Sequence, residues 1–133
     1  MLKVMKKKLL VVITMLVVAS GFIFTGSTST KAKDNDVKYL GKYKLKAYCG
    51  CRKCSGKWGA RTASGKKAKQ GRTIAVDKRK IKLGSKVQIN GKTYVAEDVG
   101  GGVKGKHIDV FFKSHKQTKR FGKKTGVKVY KVN

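Results

Sequence analysis

The sequence predicts a mainly β domain: a small six-stranded barrel with one short helix, occupying residues 39–133. Three observations carry that prediction. The second half of the chain is poor in the helix formers Ala, Leu and Glu and rich in Val, Ile, Thr and Tyr, a mix that suits half-buried pleated strands. Short alternating or apolar runs recur there between glycine-containing turns, the pattern of small all-β domains. A length of 133 residues holds one hydrophobic core and not two.

The elements follow in order. Tyr43–Tyr48 alternates polar and apolar and reads as a strand. Residues 50–69 are rich in Gly, Ser and Lys and read as a long loop, a feature often tied to function. Thr73–Asp77 is the second strand, and a turn through Lys78–Leu83 ends at Gly84. Ser85–Asn90 and Thr93–Asp98 form a hairpin across Asn90-Gly91, since both turn residues tolerate positive φ. His107–Phe112 is the fifth strand and Gly126–Val132 the last. Ser114 can cap, and Gly122 can end, a short amphipathic helix reaching Phe121. Residues 33–38 are polar and read as a flexible lead-in.

Residues 1–32 carry a different signal. Lys6-Lys7-Lys8 precede an uncharged apolar run, Leu9–Ala19, that is short for a membrane span of about 20 residues. The segment reads as a signal peptide, cleaved near Thr30-Lys31-Ala32, or as an N-terminal anchor. Either places the domain outside the cell, secreted or in the cell wall, with transient membrane contact through the N-terminus.

The net charge of +28, from 34 basic and 6 acidic residues, makes the surface a partner for polyanions. Export turns that expectation toward anionic cell-wall polymers and away from nucleic acid. Cys49, Cys51 and Cys54 lie within one short run. An odd count in an exported chain leaves one thiol over after any internal disulfide. The run C-x-C-x-x-C also suits zinc with a fourth ligand such as His107 or His115. Without a second cysteine pair the favoured expectation is a reduced loop beside the first strand, with no metal and no cofactor.

Only four carboxylates remain from Tyr39 onward: Asp77, Glu97, Asp98 and Asp109. Asp77 and Asp98 end strands, and Asp109 sits inside an apolar one. Strict alternation puts Asp109 on a face with His107 and Phe111, opposite Ile108, Val110 and Phe112. Glu97 faces away from Asp98, so only one of the two joins a common site. Each aspartate alone has a structural explanation: an Asx turn at Asp77, a turn cap at Asp98, a lysine-paired surface group at Asp109. Together, around the Gly100-Gly101-Gly102 loop, they suggest chemistry.

Several spaced runs resemble one family in order. They are Thr73-Ile-Ala-Val-Asp77, Ile81 through Val87, Val95-Ala-Glu-Asp98-Val-Gly-Gly-Gly-Val-Lys-Gly105 and Ile108-Asp-Val-Phe-Phe112. Tyr48 through Cys54, Thr62-Ala-Ser-Gly65 and Ser114-His115 join them. Over residues 43–132 the chain resembles the 3D (Asp-Asp-Asp) domain family, with Val99 standing where that family usually has threonine. The resemblance implies a double-psi β-barrel similar to the catalytic barrel of membrane-bound lytic transglycosylase A and of stationary-phase survival muralytic proteins. It implies cleavage of the MurNAc–GlcNAc bond of peptidoglycan to 1,6-anhydro products. By position, Asp109 matches the catalytic acid, Asp98 its partner and Asp77 a supporting member. Thr62, Ser64, Gly65, Gly100, Gly101, Gly102 and Lys104 become the expected substrate-binding residues, with Trp58 and Tyr94 as candidate sugar-stacking rings.

The expected function is a secreted peptidoglycan lytic transglycosylase, a glycosidase acting on glycan strands. The alternatives are a non-catalytic wall-binding module, a protein holding a metal through the aspartates, and a nucleic-acid binder, which fits the charge but not the export signal. For the lytic chemistry an aspartate must hold a proton near neutral pH, well above its usual pKa of about 4. Burial or neighbouring carboxylates supply that shift, and lysines oppose it.

Overall fold

The computed structural model describes residues 36–133. The expected signal or anchor segment and the start of the lead-in lie outside the described residues. Six strands form: β1 (Val37–Tyr48), β2 (Thr73–Val76), β3 (Lys86–Ile89), β4 (Lys92–Asp98), β5 (His107–Phe111) and β6 (Lys124–Val132). Two helices accompany them, α1 (Arg52–Ser55) and α2 (His115–Phe121). The strands close in the order β1-β5-β2-β4-β3-β6, with β6 returning to β1. Two pairs, β1·β5 and β2·β4, are parallel, and the others are antiparallel.

Alternation along the strands places one face inside the barrel. Ile74 and Val76 of β2, Ile108 and Val110 of β5, Val87 and Ile89 of β3, with Leu45 and Val129, meet there in one buried cluster. Ile81, from the turn after β2, completes it at 3% exposure. Residues Asp109, Ala75 and Asp98 belong to the other, outward face of their strands.

The hairpin forms as expected. Asn90 has φ 50° and Gly91 φ 76°, the pair of positive values that a two-residue turn of matching twist requires. Helix α2 is closed at its start by Ser114, whose Oγ accepts from the Gln117 N–H while the Gln117 side chain accepts from the Ser114 N–H. Gly122 ends it with φ 66°.

Two expectations are corrected. Strand β1 begins at Val37, so the end of the lead-in is strand rather than flexible chain. Its first half pairs antiparallel with β6 and its second half parallel with β5. Gly41 interrupts the alternation where the register shifts, which hides the first half from a local reading. The long loop also holds structure, the single turn α1 and a 3-10 turn over Gly56–Trp58.

Replacing Ile108, fully buried, with alanine is expected to destabilise the domain by about 2–5 kcal/mol. Asn90→Ala should cost about 1 kcal/mol because alanine resists the left-handed region, while Asn90→Gly should be close to neutral. Urea unfolding of the variants checks both. Equal stability of Asn90→Ala and Asn90→Gly would contradict the turn assignment.

Candidate active site

Strand β2 is the spine of the site. Ala75 is the Cα partner of Asp98 on β4 and also of Asp109 on β5. Partners across a sheet share a face, so Asp98, Ala75 and Asp109 form one row across three strands. Two strand spacings put the two aspartate Cα atoms roughly 10 Å apart. Between Ile74 and Ala75 the β2·β4 register slips by one residue, from Ile74–Ala96 to Ala75–Asp98. Without that slip Glu97 would face Ala75. Asp77 lies two residues beyond Ala75 and returns to the same face.

All three aspartates line one open cleft of about 910 Å³, together with Tyr48, Trp58, Thr62, Arg79, Gly100, Gly101 and Lys104. Trp58 is 65% exposed on its wall. Gly100 must be glycine because a Cβ there would meet Val103 Cγ2 at 2.8 Å. A Cβ on Gly101 would meet nothing within 4 Å, so this part of the loop leaves space for a bulky ligand.

The three carboxylates are held in three ways. Asp77 accepts from the Arg79 guanidinium at 3.0 and 2.7 Å, from the Gly105 N–H at 2.8 Å and from the Arg79 N–H at 3.1 Å. The Arg79 side chain first, then these backbone donors, hold its pKa well below the usual carboxylate range. The expected Asx turn is present, but the carboxylate also ties the glycine loop to the end of β2. Asp98 accepts from the Tyr48 hydroxyl at 2.8 Å and from the N–H groups of Ala63 and Val99 at 3.0 and 2.9 Å. Burial and the Asp98 hydrogen bond push the Tyr48 phenol up, so it stays a donor.

Asp109 differs. Its Oδ1 lies 2.8 Å from His107 Nε2, and neither atom has another partner or exposed surface. His107 Nδ1 lies 3.0 Å from the Gly102 carbonyl, which can only accept, so Nδ1 carries a hydrogen. The exposed fifth of the Asp109 side chain belongs to atoms other than Oδ1, and Asp109 lines the cleft. Burial raises the Asp109 pKa, against the pull of His107, Lys46 and Lys44. Burial, not a neighbouring carboxylate, is its first cause.

Glu97 stays out of the cleft, but not by the expected alternation: Ala96 before it is in the core, so Glu97 lies on the Thr73 face, and the slip brings Asp98 to that face too. Glu97 accepts from Arg72 at 2.8 Å and from Thr73 at 2.7 Å. Burial pushes its carboxyl up, and these partners with Lys66 override that and hold it low.

Of the expected binding residues, Thr62, Gly100, Gly101 and Lys104 line the cleft, whereas Ser64, Gly65 and Gly102 do not. The Ser64 N–H donates to the Glu97 carbonyl, the Gly65 N–H to the Thr62 carbonyl, and the Gly102 carbonyl holds His107. These three shape the walls. Tyr94 is also displaced: it packs against the core, with the Lys92 ammonium 5.6 Å from its ring. Tyr48 and Arg79 are site residues that the sequence reading did not single out. Tyr48 reaches Asp98 only through the parallel β1·β5 pairing, a long-range fact without a local signal. Arg79, two residues after Asp77, was within reach of an Asx-turn reading.

The aspartates do not form a metal-holding group. Among the described residues the group whose ligand atoms converge is Cys49, Cys51, Cys54 and His115. All three thiols are free of disulfides. The hydrogen bond with Cys49 lowers the Cys51 thiol to about 7, while burial pushes Cys49 up to about 11.

The Asp77 contacts set an acid-side stability signature. A carboxyl whose folded pKa is depressed stabilises the fold above its unfolded value near 4, and that contribution is lost as pH falls toward the folded value. Asp77→Asn should lower the Tm at pH 7 by several degrees and flatten its fall between about pH 5 and 2. Thermal unfolding across that range checks this, and parallel curves for the two proteins would refute it. Tyr48→Phe should cost about 1 kcal/mol by leaving Asp98 Oδ2 without its donor, measured in the same way.

Comparison with known proteins agrees with this barrel's sequence pattern. Residues 72–133 match the family model of the 3D domain. The chain is 42% identical over 87 residues to the "Putative cell wall shaping protein YabE" of Bacillus subtilis (strain 168), covering 62% of this chain and 20% of that protein. It thus spans about a fifth of that relative. A crystal structure of MltA from E. coli aligns with a TM-score of 0.48 at 21% identity, over 55% of this chain and 27% of that one. A second MltA structure, titled as revealing a unique lytic transglycosylase fold, gives 0.49 at 23% over the same shares. Over residues 72–133 this chain is similar to the 3D domain.

Proposed function

We propose that the domain is an exported peptidoglycan lytic transglycosylase that cleaves the MurNAc–GlcNAc bond and leaves a 1,6-anhydro sugar. One observation carries the reading: a carboxyl with a burial-raised pKa, Asp109, shares a cleft and a row with Asp98 across Ala75. The family match and the wall-shaping description of the Bacillus relative support the wall as the place of action. The two parallel strand pairs are compatible with the double-psi form of the barrel.

In this mechanism Asp109 gives its proton, from the cleft side of the carboxyl, to the leaving glycosidic oxygen. The bond from that oxygen to the anomeric carbon breaks. The sugar's own 6-hydroxyl attacks the anomeric carbon, and its proton passes to the Asp109 carboxylate, restoring the acid. No enzyme nucleophile is needed, unlike the usual two-carboxylate scheme. His107, donating to the Gly102 carbonyl, orients Asp109 and can stabilise its carboxylate while the proton is away. Asp98, fixed by three donors, is placed to stabilise positive charge at the anomeric carbon. Asp77 positions Arg79 and the glycine loop. Arg61, Lys78, Arg79 and Lys104 give the cleft a basic rim, suited to the carboxylates of the stem peptides. The wider positive charge would hold the enzyme on anionic wall polymers.

A second reading has its own support. Asp98 is satisfied by protein donors alone, which also suits a rigid wall-binding module without catalysis.

Incubation with purified peptidoglycan, followed by mass spectrometry of soluble products, separates the readings. Anhydro-muropeptides are expected, and Asp109→Asn should lower their release by about 10²-fold or more. The rate should fall as pH rises through the raised pKa of Asp109, because the protonated form is consumed. Hydrated reducing ends would indicate a hydrolase, binding without release a module. Undiminished cleavage by Asp109→Asn would remove Asp109 as the acid.

A further inference from the structure

The proposed cleavage uses neither the cysteines nor His115, yet the fold brings all four to one point. Cys49 follows β1, Cys51 and Cys54 flank and occupy α1, and His115 opens α2, 61 residues after Cys54. Cys49 Sγ lies 3.2 Å from Cys51 Sγ and 3.5 Å from Cys54 Sγ. His115 Nδ1 lies 3.4 Å from Cys54 Sγ and 3.7 Å from Cys51 Sγ. All four ligand atoms fall within 4.8 Å of one another.

These separations are close to those of one specific coordination, the sulfurs lying a few tenths of an ångström nearer together than in a filled site. Zinc bound tetrahedrally, with Zn–S near 2.3 Å and Zn–N near 2.0–2.1 Å, sets its sulfurs about 3.8 Å apart and sulfur and nitrogen about 3.6 Å apart. A disulfide would explain two of the sulfurs and leave a third thiol and an imidazole aimed at the same spot for no reason. Neutral thiols are weak hydrogen-bonding groups and would gain little by such crowding. The chain around them carries Arg52, Lys53, Lys57 and Lys116, which offset the net negative charge of three thiolates around a divalent ion.

We propose that Cys49, Cys51, Cys54 and His115 bind one zinc ion in a closed, structural Cys₃His site. With four protein ligands no position is open for water or substrate, so the ion acts on the fold. Tyr48, which donates to Asp98, directly precedes Cys49. Cys54, Ser55 and Trp58 line the cleft, and the Ser55 hydroxyl donates to the Cys49 carbonyl at 2.6 Å. The ion therefore fastens one wall of the cleft to α2. His107, the other histidine, is held by Gly102 and Asp109 and takes no part.

The test uses the full chain in mild detergent, purified with reductant and then given zinc or cobalt(II) alone. One metal ion per chain is expected by elemental mass spectrometry. The cobalt form should show the strong sulfur-to-cobalt charge transfer and visible bands of a tetrahedral thiolate set. A chelator should lower the Tm by several degrees, and zinc should restore it. His115→Ala should weaken metal affinity at least tenfold and change the cobalt spectrum. His115→Cys, which keeps four ligands, should retain tetrahedral binding, and His107→Ala should leave metal binding unchanged. Less than half an ion per chain overturns the site. So do two of the three thiols found as a disulfide in metal-free protein, or a cobalt spectrum that His115→Ala leaves unaltered. Metal content is read without any cleavage assay, so this proposal and the lytic one fail independently.

Discussion

The site depends on one register. Ala75 pairs with Asp98 on one side and Asp109 on the other because β4 slips one residue past β2 between Ile74 and Ala75. A regular ladder would carry Glu97 into the row and pair Asp98 with Val76, on the core side of the sheet. The slip exchanges a carboxylate that closes an ion-pair network for one that opens on a cleft. A small side chain at the centre of the row leaves the space between the aspartates open. Bulges are found near active sites for this reason: one extra residue re-aims one side chain without disturbing the core behind it.

In a chain of this charge, a carboxyl holds a proton only if it is shielded. Asp77 and Glu97 each face an arginine, and both are held low. Asp109 has lysines on β1, Lys44 and Lys46, and a histidine on its own strand, yet burial outweighs them. The contrast gives otherwise similar groups different work. The arginine-bound carboxylates brace loops and strand ends, and the desolvated one has its pKa raised.

The loop after β1 joins these two themes. Tyr48, just before it, and Ala63, within it, supply two of the three donors to Asp98. Between them the chain turns through α1 and forms the Trp58 wall of the cleft. A segment with few buried residues of its own needs some other fastening if it is to hold its donors on Asp98. The convergence of the cysteines with His115 lies where such a fastening is needed.

Much of this was legible locally. Alternation in β5 put Asp109 and His107 on one face, whereas in β4 the register slip broke the alternation expected to separate Asp98 from Glu97. Asn90-Gly91 announced its turn, and Ser114 and Gly122 the ends of α2. These are properties of neighbouring residues and follow from strand and helix periods and from backbone freedom. What the chain alone left open were the distant pairings: β1 reaching back to Val37 through its contact with β6, Tyr48 turned onto Asp98, Tyr94 drawn into the core instead of the cleft, and the fourth partner of the cysteines. The chain alone supplied the groups and the face of the strand each would occupy. Only the tertiary structure decided which faces met, because register between distant strands is set by closing the barrel around a shared core.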